Sequence, residues 1–487
     1  MSSQSPIRVR FAPSPTGFLH IGGVRTALFN YLFAKKHGGT FILRLEDTDR
    51  ERFVESGITQ ISEVLDWLGI IPDEGYWEGE HIGDAGPYIQ SQRLPHYDDF
   101  AQKLIDMGVA YRSYITPDDF QKNRQIAIDA KKPFVYRRSM EPQASEQSSK
   151  APIRLDILAL QKKLTTPNIV WEDAIRGKFE LDWSILDDFI LVKADGFPTY
   201  NFANIIDDHT MQISHVLRGD EFISSTAKHA ILYDALGLER PIWAHLPLIL
   251  GSDGAKLSKR HGDTDALQYR EKGYLPEAIL NFLAQLGWND GTEQEIFSLE
   301  EMVQKFSLER IQKSPAKFDV DRLDWMNGIF IREKLSEQDY INRALAELPQ
   351  ANLTNTTLAQ SAVLLERERI KTFKELPELV AFFFTRPNNH TEIKNLIIKK
   401  ATLEEASKIL EASIKSLSEL TSSDAADIET QLRDSAQEHN IKAGQMFYVI
   451  RVAITGKTAA PGLFETISVL SVGETIERLK ITQKALN

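Results

Sequence analysis

Hydrophobic positions in the first eighty residues fall into alternating strand and helix patterns. Ile7 to Phe11 is rich in β-formers and runs into Ala12-Pro13-Ser14-Pro15-Thr16-Gly17, where two prolines must end the strand. A helix is predicted from about Gly22 to Lys36 with Leu28, Tyr31 and Leu32 on one face, then a strand over Thr40–Leu45. Ile58, Ile61, Leu65 and Leu68 follow with the spacing of an amphipathic helix. This βαβα order is that of a nucleotide-binding sheet. From about 86 to 198 the regularity is lost, which reads as an insertion between two halves of one sheet, with Glu141 to Lys150 a polar surface loop. The pattern resumes with strand-like Phe189–Lys193, Gln212–Leu217 and Leu246–Leu250 around a helix over Thr226–Leu236. Beyond Asp263 nearly every segment reads as helix, including Pro276–Leu286, Ala401–Leu417 and Gly444–Ile454.

A length of 487 residues provides for about three domains, and 42% hydrophobic with 26% charged residues is the balance of a globular chain. The absence of cysteine removes disulfides, thiolate zinc sites, iron–sulfur clusters and cysteine nucleophiles together. The first residues lack the apolar core of a signal peptide, and apolar runs such as Leu379–Phe384 are too short to span a bilayer, so a cytoplasmic protein with no membrane partner is expected. The net charge of -12 argues against binding nucleic acid by bulk attraction and leaves room for a local basic groove.

Two segments carry candidate chemistry. The first, Ala12 to Gly23, joins a strand to a helix N-terminus; its glycines would let backbone approach a phosphate, and His20 can donate a hydrogen bond to a phosphate oxygen. The second, Gly251 to Arg260, reads as a mobile loop ending in Lys256-Leu257-Ser258-Lys259-Arg260, whose lysines could stabilise charge on a departing pyrophosphate. Each alone is also compatible with an ordinary turn. Together they bracket one interrupted sheet, the arrangement of a class I aminoacyl-tRNA synthetase.

At these residues the chain resembles the bacterial-type glutamyl-tRNA synthetases. The likeness is carried by Arg10–Gly23 in the place of the family's HIGH region, by Leu43–Asp49, Asp195–Asn204 and His215–Glu221, and by Lys256–Arg260 in the place of the KMSKS signature; Pro461-Gly462-Leu463-Phe464-Glu465 resembles the family's last domain. The resemblance implies a multidomain α/β fold, a Rossmann-type parallel sheet split by an insertion and followed by an all-α C-terminal anticodon-binding region. It implies catalytic halves over 1–85 and 199–257, an insertion over 86–198 contacting the tRNA acceptor end, a stem-contact domain over 258–335, and helical anticodon-binding domains over 336–385 and 386–487.

By matching position, Arg10, Ala12, Ser14, Glu46, Tyr200, Asn204 and Arg218 are expected to line the amino-acid pocket, with Arg218 facing the substrate's side-chain carboxylate. His20, Gly22, Gly23, Lys256, Ser258 and Lys259 are expected at ATP, His20, Lys256 and Lys259 acting by positioning and charge stabilisation. Arg218 could instead form a surface ion pair with Asp220 or Glu221, and Glu46, Asp47 and Asp49 could be acids capping a helix. Some family members hold zinc through cysteines near an Ala-Tyr-x-Cys-x-Cys stretch. Here it reads Ala110-Tyr111-Arg112-Ser113-Tyr114-Ile115, no His lies between His96 and His209, and no structural zinc is expected.

The implied reaction is glutamate activation by ATP, with Mg²⁺ carried by the phosphates, and transfer to tRNA(Glu) by a protein expected to be monomeric. Two related ligases fit less well: the glutaminyl family builds its anticodon part from β-barrels, and the glutamyl-queuosine type lacks that part. A form that also charges tRNA(Gln) is left open, while a non-catalytic RNA-binding paralogue would be expected to lose His20 or the lysine pair. In the helical half, Arg367, Arg369, Lys371 and Lys374 read as one basic helix, and Lys394, Lys399, Lys400, Lys442 and Arg451 follow as candidate phosphate contacts. The segment Lys131–Arg138, basic with aromatics, either faces the acceptor end or is a solvated loop.

Overall fold

Strand β1 (Arg8–Phe11) ends where Pro13 and Pro15 withdraw their N–H groups, and the chain re-enters regular structure only at helix α1 (Ile21–Lys36). A computed structural model describes residues 6–142, 150–258 and 264–486. The chain divides into two compact units, residues 1–270 with 276–320 and residues 271–275 with 321–487.

In the first unit, β2 (Thr40–Leu43), helix α2 (Ser56–Trp67), β3 (Glu74–Trp77) and β4 (Glu80–Ile82) follow α1, and β1, β2 and β3 pair in parallel with β4 antiparallel at the edge. Helix α1 has no single apolar stripe: Val24, Ala27, Leu28 and Leu32 are fully buried, Tyr31 only half, and Arg25 and Asn30 are buried as well. It packs on β1 and also on the helices over Pro276–Gln285 and Leu299–Lys305, so several of its sides are covered.

The insertion contributes helix α3 (Leu94–Asp106), β5 (Ala110–Arg112), α4 (Pro117–Asp129), β6 (Ile153–Leu155), α5 (Ile157–Leu164), β7 (Ile169–Asp173), β8 (Gly177–Leu181) and β9 (Ile190–Val192). β9 corrects the expectation that the parallel sheet resumes at Phe189: it pairs antiparallel with β6 in a three-stranded sheet, β5-β6-β9. The expected Gln212–Leu217 strand is displaced to β10 (His215–Gly219), which follows helix α6 (Tyr200–Thr210). After helix α7 (Ile223–Leu236), the expected Leu246–Leu250 strand is two elements of different sheets. β11 (Ile242–Leu246) pairs in parallel with β10, and β12 (Ile249–Leu250) pairs with β13 (Ala316–Lys317); Pro247 separates them. β7 also joins β11, at Trp243 and Asp173, so a strand from within 86–198 completes the second half-sheet.

The two half-sheets meet along β1 and β10. Ser214 N donates to Arg8 O at 2.9 Å, and Arg8 N donates to Ser214 Oγ at 2.8 Å. Strand order therefore runs outward from this seam in both directions, through β2 on one side and β11 on the other. Such a reversal leaves a crevice beyond the carboxyl ends of the strands.

The second unit is helical. Its longer helices cover Glu337–Ala346, Thr356–Glu366, Leu403–Ser418, Ala425–Glu438, Ala443–Thr455 and Val472–Leu486. The helix expected over Ala401–Leu417 starts at Leu403 because Thr402 and Glu405 form a reciprocal capping box there. The expected basic helix through Arg367–Lys374 is broken: the preceding helix ends at Glu366 and only a short turn, Phe373–Glu375, follows. Arg367 turns inward to donate to the carbonyls of Ile331 and Leu335, while Arg369, Lys371 and Lys374 pair with Glu366, Asp324 and Glu347.

Candidate functional site

The crevice at the seam is a cleft of about 1180 Å³. Arg10, Ala12, Ser14, His20, Gly22, Gly23, Glu46, Tyr200, Asn204, Arg218, Lys256 and Ser258 all line it. Lys259, the remaining expected site residue, lies outside the described residues with Arg260.

Arg10 stands near the end of β1 and is 3% exposed; its Nε and Nη2 donate to both oxygens of Asp208 at 3.0 and 3.2 Å. Arg44, completely buried, donates to Asp208 at 2.7 Å and to Glu46 Oε1 at 3.0 Å, and Asn204 Nδ2 adds a hydrogen bond to the same Glu46 oxygen at 3.1 Å. Burial pushes the Glu46 carboxyl up and the Arg44 and Arg10 guanidinium groups oppose it. For Asp208 the balance is reversed: burial raises it, but Arg10 and Arg44 together hold it below the usual range. Asn204 Oδ1 is buried without a protein partner, which suits an incoming donor.

Asp47 and Asp49 do not cap α2, whose preceding residue, Glu55, makes no side-chain cap. Asp47 accepts from Ser91 N at 2.8 Å and thereby caps the short turn Gln90–Arg93, and Asp49 pairs with Arg52.

Arg218 is the most informative side chain. The expected alternative, an ion pair with its neighbours, is excluded because Asp220 pairs with Arg176 at 2.6 Å and Glu221 with Lys256 at 2.9 Å. Arg218 is 4% exposed and meets only neutral acceptors: Tyr200 Oη at 3.0 Å, His229 Nδ1 at 3.2 Å, His245 Nε2 at 3.1 Å, Thr226 Oγ1 at 2.8 Å and Phe222 O at 3.4 Å. Among the described residues no carboxylate stands within 4 Å of it. A buried guanidinium with no directly contacting anion can take one supplied by a ligand.

His20 forms the N-cap of α1, its Nδ1 accepting from Gly22 N at 3.0 Å. In the neutral ring that bond leaves the proton on Nε2, the nitrogen able to donate. The glycines act differently from expectation. The Gly22 N–H is held by His20 Nδ1 and the Gly23 N–H by the His20 carbonyl at 2.7 Å, so what they supply is room: a Cβ on Gly22 would stand 3.2 Å from His20 Nδ1. The segment expected to be a mobile loop is, as far as Ser258, a closed turn. Gly251 N donates to Ala255 O at 2.8 Å, Leu257 N to Ile249 O at 2.9 Å, and Gly254 adopts φ +77°, which favours glycine.

Residues 6–325 match the family described as tRNA synthetases class I (E and Q), catalytic domain, and residues 331–483 match the anticodon binding domain. The chain belongs to the class I tRNA synthetases (E and Q). It is 44% identical over 471 residues to a glutamate–tRNA ligase of Dehalococcoides mccartyi, covering 95% of this chain and 94% of that one. A Moorella thermoacetica glutamate–tRNA ligase is 42% identical, with 97% of each chain covered. Among solved structures, a glutamate tRNA ligase from Elizabethkingia meningosepticum in complex with its amino acid superimposes with a TM-score of 0.87 at 34% identity, over 99% of this chain and 100% of that one.

Within this synthetase, sequence reasoning missed the supports behind the cleft: Arg44, Asp207 and Asp208 beneath Arg10 and Glu46, and Asp173, His229 and His245 behind Arg218. Asp207-Asp208, two adjacent acids directly after the buried Ile205-Ile206 of α6, were a signal available in the sequence.

Proposed function

We infer that this chain catalyses glutamate–tRNA ligation, activating L-glutamate with ATP and passing the glutamyl group to tRNA. The observation that carries the reading is Arg218, buried on the cleft wall without a carboxylate of its own, in a chain whose full-length relatives bear the name glutamate–tRNA ligase. The glutamate α-carboxylate attacks the ATP α-phosphorus and pyrophosphate leaves. A terminal ribose hydroxyl of tRNA then attacks the acyl carbon and AMP leaves. No side-chain nucleophile is needed, so the protein's contribution is orientation and charge.

We assign Arg218 to the substrate's side-chain carboxylate and Glu46, with the unpartnered Asn204 Oδ1, to its ammonium group. Arg10, with Nη1 not engaged by Asp208, fits the α-carboxylate. His20 Nε2, Gly22, Gly23, Lys256 and Ser258 border the ATP position, and Lys259 is assigned there by its place in the motif. Mg²⁺ enters on the nucleotide as part of that substrate.

The insertion is proposed to hold together without zinc. Support comes from Glu141, whose carboxylate accepts from Ser113 Oγ, from Tyr114 N at 2.7 Å and from Tyr136 Oη at 2.7 Å, tying the stretch that carries cysteines elsewhere in the family. Metal analysis finding a tightly held zinc per chain would refute this. The helical regions 336–385 and 386–487 are assigned to the anticodon arm, consistent with the anticodon-domain match. Among the described residues no helix is long and apolar enough to cross a membrane; a cytoplasmic monomer is proposed.

Charging of purified tRNA(Glu) and tRNA(Gln) side by side, each with glutamate and glutamine, tests the assignment. Glutamate should be attached to tRNA(Glu), and attachment of glutamine in preference would overturn it.

A further inference from the structure

All five N–H bonds of Arg218 point at identified acceptors, and one of those acceptors is itself held from behind. His245, fully buried on β11, donates from Nδ1 to Asp173 Oδ2 at 2.6 Å and accepts the Arg218 Nε–H on Nε2 at 3.1 Å. Asp173, 2% exposed at the end of β7, is fixed in turn: Oδ1 accepts from Ile175 N at 3.0 Å and Arg176 N at 2.8 Å, and Oδ2 from His245 N at 3.1 Å. Every lone pair facing these N–H groups is therefore used, and the carboxylate has one way to sit.

We propose that Asp173 and His245 are positioning residues for carboxylate selection, Asp173 locking His245 in the tautomer that holds Arg218 without neutralising it. The inference rests on the ligase reading of the cleft. A bare buried guanidinium is costly, and an acid placed directly against it would repay that cost while occupying the donors that the substrate needs. Asp173 instead supplies the countercharge one imidazole away. The Nδ1–H bond leaves His245 Nε2 as a lone pair, so the ring accepts from Arg218 and cannot present a proton to it. The donors facing Tyr200 Oη and, at the long 3.4 Å, Phe222 O are then those that an incoming carboxylate can take over. A carboxamide offers such a fork one oxygen and an NH₂, so a rigidly aimed Arg218 rejects it while a displaced one does not. Aim, more than charge, becomes the selective quantity.

Asp173→Asn tests the lock. Its NH₂ group must face either backbone N–H groups or the ring, and facing the ring drives His245 to the other tautomer, with Nε2–H against Arg218. Glutamate KM should rise tenfold or more and the glutamate-to-glutamine ratio of kcat/KM should fall at least tenfold, with ATP KM changed less than twofold. His245→Ala should behave likewise. His245→Gln, whose carbonyl can still accept the Arg218 Nε–H, should recover most of the ratio. In ¹⁵N-histidine spectra the resonances lost in His245→Gln should report a protonated Nδ1 in the parent and a protonated Nε2 in Asp173→Asn. Glutamate KM and the ratio both within twofold of the parent in Asp173→Asn and His245→Ala would overturn the proposal. Losses shared equally by His245→Gln and by ATP KM would do the same, since they mark mere destabilisation. A parent that charges no glutamate sinks the ligase reading, and the tautomer signature then decides for or against the lock.

Discussion

On the assignment of Arg218 to the substrate carboxylate, one buried cation sets what the cleft accepts. Replacing it by Ala removes the substrate's partner and leaves Tyr200 Oη, His229, His245 and Thr226 facing a void. Stripping one partner from a buried charge pair costs about 3–5 kcal/mol, so kcat/KM for glutamate should fall by more than a hundredfold in Arg218→Ala. The preference over glutamine should shrink with it. Steady-state charging with both amino acids measures each; an unchanged preference would remove Arg218 from the pocket. The neighbouring Arg10–Asp208–Arg44–Glu46 chain follows a different logic, because there each charge already has its partner and the result is a rigid floor.

Among elements, the start of the helix Val472–Leu486 is an electrostatic joint of the second unit. Buried Arg478 donates to Phe382 O and Ile454 O, each at 2.7 Å, and to Glu474 at 2.8 Å, and Glu474 also receives Arg386 at 2.8 Å. One guanidinium thus satisfies carbonyls from two other helices, which leave orphan carbonyls at their C-terminal ends. The Arg386 hydrogen bond, opposed by burial and aided by Arg478, brings the Glu474 carboxyl down to about 2 from 4.5. A depressed carboxylate contributes stability that is fully present above its unfolded value and is lost as pH falls through the folded one. Glu474→Gln should therefore lower stability near pH 7 by about 1 kcal/mol, the group being partly open to water. The difference from the parent should hold down to about pH 5 and narrow below 4.5. Urea unfolding from pH 7 to pH 3 reads this directly, and a gap independent of pH would dissociate Glu474 from the joint.

Across the whole molecule, a chain with a net charge of -12 must bind tRNA through local basic surface. Arg367, Arg369, Lys371 and Lys374 are engaged by carbonyls or acids and are poor candidates. Lys399, Lys400 and Lys442 are exposed and have no acid within 4 Å among the described residues. Gln445, in the first turn of the helix whose N-cap position is Lys442, donates to Lys400 O at 2.9 Å and so ties the Lys399-Lys400 segment to the start of that helix. Neutralising all three should weaken tRNA binding. The slope of log K against log salt should become shallower by about two to three, at 0.7–0.9 per lost phosphate contact. An unchanged slope would direct the search for the anticodon arm elsewhere on this unit.

What the chain determined by itself was local. Pro13 and Pro15 ended β1, the spacing of Ile61 and Leu65 marked the buried face of α2, and the absence of β pattern after Asp263 announced a helical half. The pocket residues were legible because the segments that carry them are short and contiguous, from Arg10–Gly23 to His215–Glu221. Pairing across long separations was not legible. Ile190–Val192 has the same β-rich composition whichever sheet it joins, and only β6 beside it decided for the insertion. Arg367–Lys374 read as a basic helix until Ile331, Leu335, Asp324 and Glu347, distant in sequence, claimed the side chains. Arg218 was ambiguous for the same reason: its local neighbours are acids, and tertiary structure gave those acids to Arg176 and Lys256 while bringing His245 and Asp173 up behind it. Periodicity and turn chemistry act within a few residues, whereas the partner of a buried charge is chosen by whichever group the fold carries to it.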